Sequence, residues 1–294
     1  MSRPHGVHDD DLAAEFTAIR PRLLGVAYGL LGSVEEAEDV VQDAWLRLGR
    51  SAAPEVRDVT AWLVVTVSRL ALDVLRSARV RREEYVGPWL PEPVVDGADG
   101  ADPADRVTLE ESMSMAMLVV LESLSPAERA AFVLHEVFGL SFDEVSRAVG
   151  RTPAACRQLA ARARRHVSAR APRFPVSGAE HRRVVDAFAR ACRSGDIAAL
   201  LAVLDPDVVL RSDGGGVVRA ARRPIVGAAR VTRYIAGIQR FGDYRFAPTT
   251  VNGWAGLLRL RGDKLAGVYG LTVSAGRITE IDAVMNPEKL RRIR

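Results

Sequence analysis

Apolar residues recur at three- and four-residue steps through "LLGVAYGLLG", "AEDVVQDAWLRL" and "AWLVVTVSRLALDVLRSARV". That spacing predicts amphipathic helices from Asp11 to about Arg82, a helical domain with its own core. From Glu84 to Asp105 the text becomes "EYVGPWLPEPVVDGADGADPAD", whose Pro, Gly and Asp break both helical and strand periodicities and mark a linker. A flexible tether has little use for Trp89 and Leu90, so part of this linker is expected to dock on something. Helical text resumes with "LEESMSMAMLVVLESL" and continues through "SPAERAAFVLHEVFGL", "SFDEVSRAVG" and "TPAACRQLAARARRHV". Ser125 with Glu128 and Ser141 with Glu144 fit capping boxes, Pro126 and Pro153 suit first helical positions, and Gly139 and Gly150 supply stops. Short helices joined by tight turns predict a helix-turn-helix module.

A second linker, "SARAPRFPVSG", closes this helical half near Gly178. Beyond it the periods alternate. "EHRRVVDAFARACRSGD", "IAALLAVL" and "GAARVTRYIAGIQRF" have helical spacing, whereas "DVVLRSD", "YRFAPTTVNG", "WAGLLRLRG", "KLAGVYGLTVSAG" and "RITEIDAVMN" read as strands, the last four as antiparallel neighbours separated by Gly-containing turns. The expected class is multidomain: two all-α domains followed by an α+β domain with a curved sheet. The expected boundaries are 11–83 and 108–170 for the helical domains, 84–107 and 171–178 for linkers, and 179–294 for the α+β domain.

Length and composition fit this division, since 294 residues suffice for two or three domains with separate cores. No apolar run approaches the roughly 20 residues of a membrane span, and "MSRPHGVHDDD" lacks a secretory apolar segment; the expected location is cytoplasmic. Cys156 and Cys192 are the only cysteines and have no partners at metal-ligand spacing, so no metal and no cofactor is expected.

Net charge is only +4, but its distribution changes the picture. Arg151 to Arg173 carries seven arginines and no acid, whereas Ser33 to Trp45 carries five carboxylates and no base. In "TPAACRQLAARARRHV", Cys156, Leu159, Ala160, Ala163 and Val167 form an apolar stripe that leaves Arg157, Gln158, Arg162 and Arg165 on the opposite face. Arg and Gln near a helix start reach base edges while further arginines hold phosphates. Arg76, Arg79, Arg81 and Arg82 form a second basic face on the helix that begins near Trp62, a composition suited to unstacked DNA.

The order of these features resembles the extracytoplasmic-function sigma factors of bacteria. "LLGSVEEAEDVVQDAWLRL" is similar to the region that grips core RNA polymerase, and the resemblance gives that role to Asp39, Gln42, Asp43 and Trp45. "AWLVVTVSRLALDVLRSARVRR" resembles the segment that opens and reads the −10 element, which implies DNA contacts for Trp62, Arg69, Asp73, Arg76, Arg79, Arg81 and Arg82. Arg69 stands where many such factors carry Asn. The module from Leu124 to Val167 resembles the −35 reader and assigns that contact to Thr152, Ala154, Ala155, Arg157, Gln158, Arg162 and Arg165.

The carboxy-terminal half is similar to SnoaL-like domains, and the fusion resembles the SigJ-like subgroup of these factors. "GPWLPEP", "DGGG" and "NPEKL" carry that closer likeness, although Val217 and Val218 stand where the subgroup follows its glycines with a basic residue. It implies a regulatory contact through Trp89, Leu90, Pro91, Glu92, Asp213, Gly214, Gly215, Gly216, Asn286 and Pro287. The triple glycine has no G-K-[ST] ending and opens no helix, so it is not read as a phosphate loop; close approach of the linker is favoured over a plain turn. The implied function is promoter-specific initiation, controlled in cis without a separate anti-sigma factor, with core RNA polymerase and promoter DNA as partners and no membrane. The alternative is a small-molecule sensor or a cyclase- or isomerase-type enzyme fused to a DNA-binding module, with a small ligand in the cone and Asp205, Asp282, His181 and Tyr269 as the candidate groups. No spacing links these four, so no catalytic residue is assigned and the chain is read as not an enzyme.

Overall fold

The structure is a computed structural model that describes residues 6–50, 58–96, 109, 113–170 and 176–293. The remaining parts of the two expected linkers, 97–107 and 171–175, lie outside the described residues. Three long helices open the chain: α1 (Gly6–Leu31), α2 (Val34–Arg50) and α3 (Val59–Glu83). The apolar step of α2 buries Val34, Ala37, Val40, Val41, Ala44 and Leu48 and leaves Asp39, Gln42 and Asp43 on the exposed face. Among the described residues four shorter helices follow: α4 (Met115–Leu121), α5 (Pro126–Phe132), α6 (Phe142–Val149) and α7 (Pro153–Arg170).

Both capping boxes close as their spacing predicts. The Ser125 and Ser141 hydroxyls each accept from the N–H of the glutamate three residues on, and each glutamate accepts in return from the serine N–H. Thr152 Oγ1 accepts from Ala155 N–H at the start of α7. One local feature departs from simple helix: Val133–Val137 is a π-helical turn continuing α5. Its wider winding lets Leu140 N–H reach Leu134 O and the His135 Nδ1 bond to Leu140 O.

The second half holds α8 (Gly178–Ser194), α9 (Ile197–Val203) and α10 (Ala228–Phe241) against a sheet of β1 (Leu204–Asp213), β2 (Ile225–Val226), β3 (Tyr244–Val251), β4 (Trp254–Arg261), β5 (Lys264–Ser274) and β6 (Arg277–Val284). The strand order is β2-β1-β6-β5-β4-β3. Strands β3 to β6 form the antiparallel meander expected from their turns, but β1 joins β6 in parallel, with Arg211 beside Asp282 and Asp213 beside Val284. One face buries Leu210, Phe246, Leu257, Tyr269, Ile281 and Ala283 with the helices. On the other face Val251, Val268 and Val284 meet Leu90, Val95, Met115, Leu290 and Ile293.

Linker and α4 residues thus cover the sheet's second face, and the compact units follow that packing rather than the chain order. One unit comprises 1–80, 102–112 and 121–169; the other comprises 81–101, 113–120 and 170–294.

Candidate functional site

In the first unit α6 and α7 form the helix-turn-helix, turned by Gly150 in the left-handed region at φ 71°. Its second helix buries Cys156, Ala160, Ala163 and Val167, the stripe the sequence predicts, with Leu159 half-buried beside them. Thr152, Ala154, Arg157, Gln158, Arg162 and Arg165 are exposed and Ala155 is partly so, which leaves one continuous basic face. Arg157 lies 5.4 Å from the Phe142 ring centroid, a contact that orients it near the helix start.

On α2, Asp39, Gln42 and Asp43 are exposed, and the half-buried Trp45 ring packs on Phe16 with centroids 4.5 Å apart. On α3, Trp62 is half-buried, while Arg69, Asp73 and Arg76 are exposed. Asp73 and Arg76 pair at 3.1 Å on the surface, an interaction of little energetic weight. The side chains of Arg79 and Arg81 lie outside the described residues.

As far as Val80, α3 belongs to the same packed unit as α7. Arg69 Nε donates to Arg147 O at 2.9 Å, Arg22 Nη2 to Phe138 O at 3.2 Å, and Arg129 Nε to Gly29 O at 3.2 Å. Arg129 is 1% exposed and also pairs with Glu122, so a buried guanidinium joins α5 to α1. Sequence reasoning missed Arg129; an arginine at a helix position flanked by "AERAAF" apolar residues was the available signal.

The residues with the closest mutual geometry are in the second unit. Leu90 to Val95 are buried without interruption, which a loose tether would not sustain. Asn252 fixes this segment: its N–H donates to Val94 O, its Oδ1 accepts from Val94 N–H, and its Nδ2 donates to Met113 O. Val95 bridges Val251 and Asp96 N–H donates to Thr250 O, so the linker pairs briefly with β3, the sheet's open edge.

Asp213, 0% exposed, is the centre of the arrangement. Its carboxylate accepts from Tyr85 Oη at 2.6 Å, Leu90 N at 2.9 Å, Gly215 N at 3.0 Å and Lys289 Nζ at 2.7 Å. Lys289 also donates to Leu90 O and lies 3.9 Å from the Trp89 ring centroid, over which Arg82 sits at 3.5 Å. Asn286 caps the 3-10 turn Pro287–Leu290 by accepting from Glu288 N–H, and it donates to Tyr85 Oη. Arg292 approaches Glu92 at 4.0 Å. Burial pushes the Tyr85 phenol well above its ordinary range, and its hydrogen bond to the Asp213 carboxylate adds to the rise.

The glycines answer to this geometry. Gly214 O accepts from Val217 and Val218 N–H, which closes a turn. Gly215 has φ 65°, and a Cβ there would lie 2.5 Å from Asn286 Cγ. The run is therefore a turn that the tail residue Asn286 approaches closely, while the linker comes no nearer than ordinary contact, Val86 Cβ lying 3.4 Å from where a Cβ of Gly216 would be. Val217, where a basic residue was expected from the subgroup, is 75% exposed. Tyr85 and Lys289 were absent from the expected contact set, although Lys289 stands within "NPEKL" and Tyr85 two residues before "GPW".

The four groups of the enzymatic alternative are not brought together. Tyr269 faces the helices with Ala283, while Asp282, one position along β6, faces the opposite way and pairs with Arg211 at 3.0 Å. Burial raises the Asp282 carboxyl to about 6 against the pull of Arg211. Asp205 accepts from Asp207 N–H in a local turn, and His181 Nε2 is held by Leu271 O at 2.9 Å.

An acidic helix, an adjoining basic helix and a basic helix-turn-helix define a promoter-reading subunit of RNA polymerase. The Sigma-70 region 2 family model matches residues 16–81 and the Sigma-70 region 4 model matches 114–167. The chain belongs to the extracytoplasmic-function sigma factors, which direct promoter-specific transcription initiation with core RNA polymerase. It is 44% identical to the ECF RNA polymerase sigma factor SigJ of Mycobacterium tuberculosis over 91% of this chain and 86% of that one. It is 38% identical to the probable factor SigI of the same species over 97% of both. The crystal structure of M. tuberculosis SigJ superposes with a TM-score of 0.76 at 37% identity, covering 95% of this chain and 98% of that one. Among the described residues no helix is long and apolar enough to cross a membrane.

Proposed function

We propose that the SnoaL-like domain governs this sigma factor in cis by clamping the linker and α4, and so setting the spacing at which the −10 and −35 readers meet DNA. The buried Asp213 carboxylate carries this reading, because its donors come from the linker (Tyr85, Leu90), the glycine turn (Gly215) and the tail (Lys289). The domain acts as a scaffold and not as an enzyme, a reading supported by the separation of Asp282 from Tyr269 across the sheet.

Within the same proposal, Asp39, Gln42, Asp43 and Trp45 contact core polymerase. Trp62, Arg69, Asp73, Arg76, Arg79, Arg81 and Arg82 serve the −10 element, and Thr152, Ala154, Ala155, Arg157, Gln158, Arg162 and Arg165 the −35 element. The protein works in the cytoplasm, where polymerase and promoter are. Run-off transcription with core polymerase tests the whole reading. Initiation at defined promoters by the full chain, altered by Asp213→Asn, supports it; no initiation from any promoter of a genomic library, with either protein, sinks it.

A further inference from the structure

We propose that the helix-facing side of the SnoaL-like sheet binds a small organic carboxylate at Arg259. Arg259 lies on β4, 7% exposed, and a buried guanidinium without a negative partner is costly. Among the described residues the other buried arginine, Arg129, is paired with Glu122, and the partly buried Arg211 is paired with Glu280 and Asp282. Among the described residues no carboxylate comes within ion-pair range of Arg259, and its buried Nε has no hydrogen-bond partner.

What surrounds it is electron-rich but neutral. Nη1 donates to Met285 Sδ at 3.0 Å, a weak acceptor, and the guanidinium carbon lies 3.7 Å from the Tyr244 ring centroid. Burial raises the Tyr269 phenol to about 12 while Arg259 pulls it the other way, so this hydroxyl stays neutral and gives the cation no charge. Tyr244 is only partly buried, which puts the guanidinium beneath a single ring.

A carboxylate is the group this edge lacks, since Nε and Nη protons of arginine match its two oxygens side by side. The side chains beside it on the sheet set the character of the rest of the ligand. Phe246, Leu257 and Tyr269 are apolar or aromatic and buried, with Phe246 and Tyr269 packed edge to face at 5.2 Å. They suit a flat or short apolar body rather than a polyanion. This site lies on the face opposite the linker clamp and stands independently of the clamp reading.

Benzoate is the probe, with benzamide as its neutral isostere and chloride as an ionic-strength control, titrated by calorimetry into the folded full chain well below its melting point. The proposal expects benzoate to bind, benzamide to bind at least about tenfold more weakly, and chloride to give no comparable signal. Arg259→Met should lose the preference for benzoate and, freed of a buried charge, melt no lower than the parent without probe. Arg259→Lys, which keeps the charge, should retain a preference for benzoate over benzamide. Equal binding of benzoate and benzamide, no benzoate binding at all, or an unchanged preference in Arg259→Met would each overturn it.

Discussion

Single residues carry the strongest claims. Removing Asp213 leaves Lys289, whose side chain is 12% exposed, without its acid, and breaking a buried pair from one side costs about 3–5 kcal/mol. Asp213→Ala is therefore expected to lower the denaturant midpoint of the α+β domain and to open Tyr85 to Val95 to protease, whereas Asp207→Ala, an exposed neighbour, should do neither. Arg129→Met should act on the helical unit instead, by removing the ion pair to Glu122 and the hydrogen bond to the Gly29 carbonyl, and is read as a lower melting temperature of that unit. His181 predicts a pH effect. Burial lowers its pKa, so the neutral ring is favoured in the fold; the stability it contributes is present above the ordinary value of about 6.5 and is lost as the pH falls and the unfolded chain takes up the proton. Chemical denaturation between neutral and acid pH should show a slope that His181→Phe reduces; an equal slope in the variant would remove His181 as its source.

At the scale of elements, the parts of the fold set by short-range chemistry were legible and the parts set by long-range pairing were not. Capping boxes at Ser125 and Ser141 act across three residues, and the stripe of α7 repeats within a few turns. The parallel seat of β1 beside β6 joins residues about seventy positions apart, such as Arg211 and Asp282, and no local period encodes it. The π turn at Val133–Val137 is likewise invisible, because its apolar spacing is that of a helix. The linker was half legible: Trp89 and Leu90 signalled docking, but the run of buried residues to Val95 depends on Asn252, far along the chain. For α7 the proposed reading separates two kinds of contact on the exposed face. Replacing Arg157 or Gln158 should change which −35 sequences are bound, while replacing Arg170 at the far end should weaken all sequences alike and flatten the salt dependence. Binding assays on a set of −35 variants at two salt concentrations distinguish these, and equal losses for all three substitutions would mean that the reading face lies elsewhere.

At the scale of the molecule, the linker, α4 and the end of α3 with Arg82 pack with the α+β domain, while α7 and the rest of α3 share the other unit. Control in cis requires that the clamp differ between resting and polymerase-bound states, since a contact made equally in both shifts no equilibrium. Gly215 and Trp89 are the positions at which to disturb it. A valine at 215 meets Asn286 and a left-handed backbone together, and Trp89→Ala removes the ring beneath Lys289 and Arg82. The most direct measurement is run-off transcription by core polymerase with the parent, Gly215→Val and Trp89→Ala, beside a melting curve of each. The account predicts that both variants stay folded and change transcript yield several-fold; folded variants with the parent's yield would contradict it and leave the glycines as a turn alone.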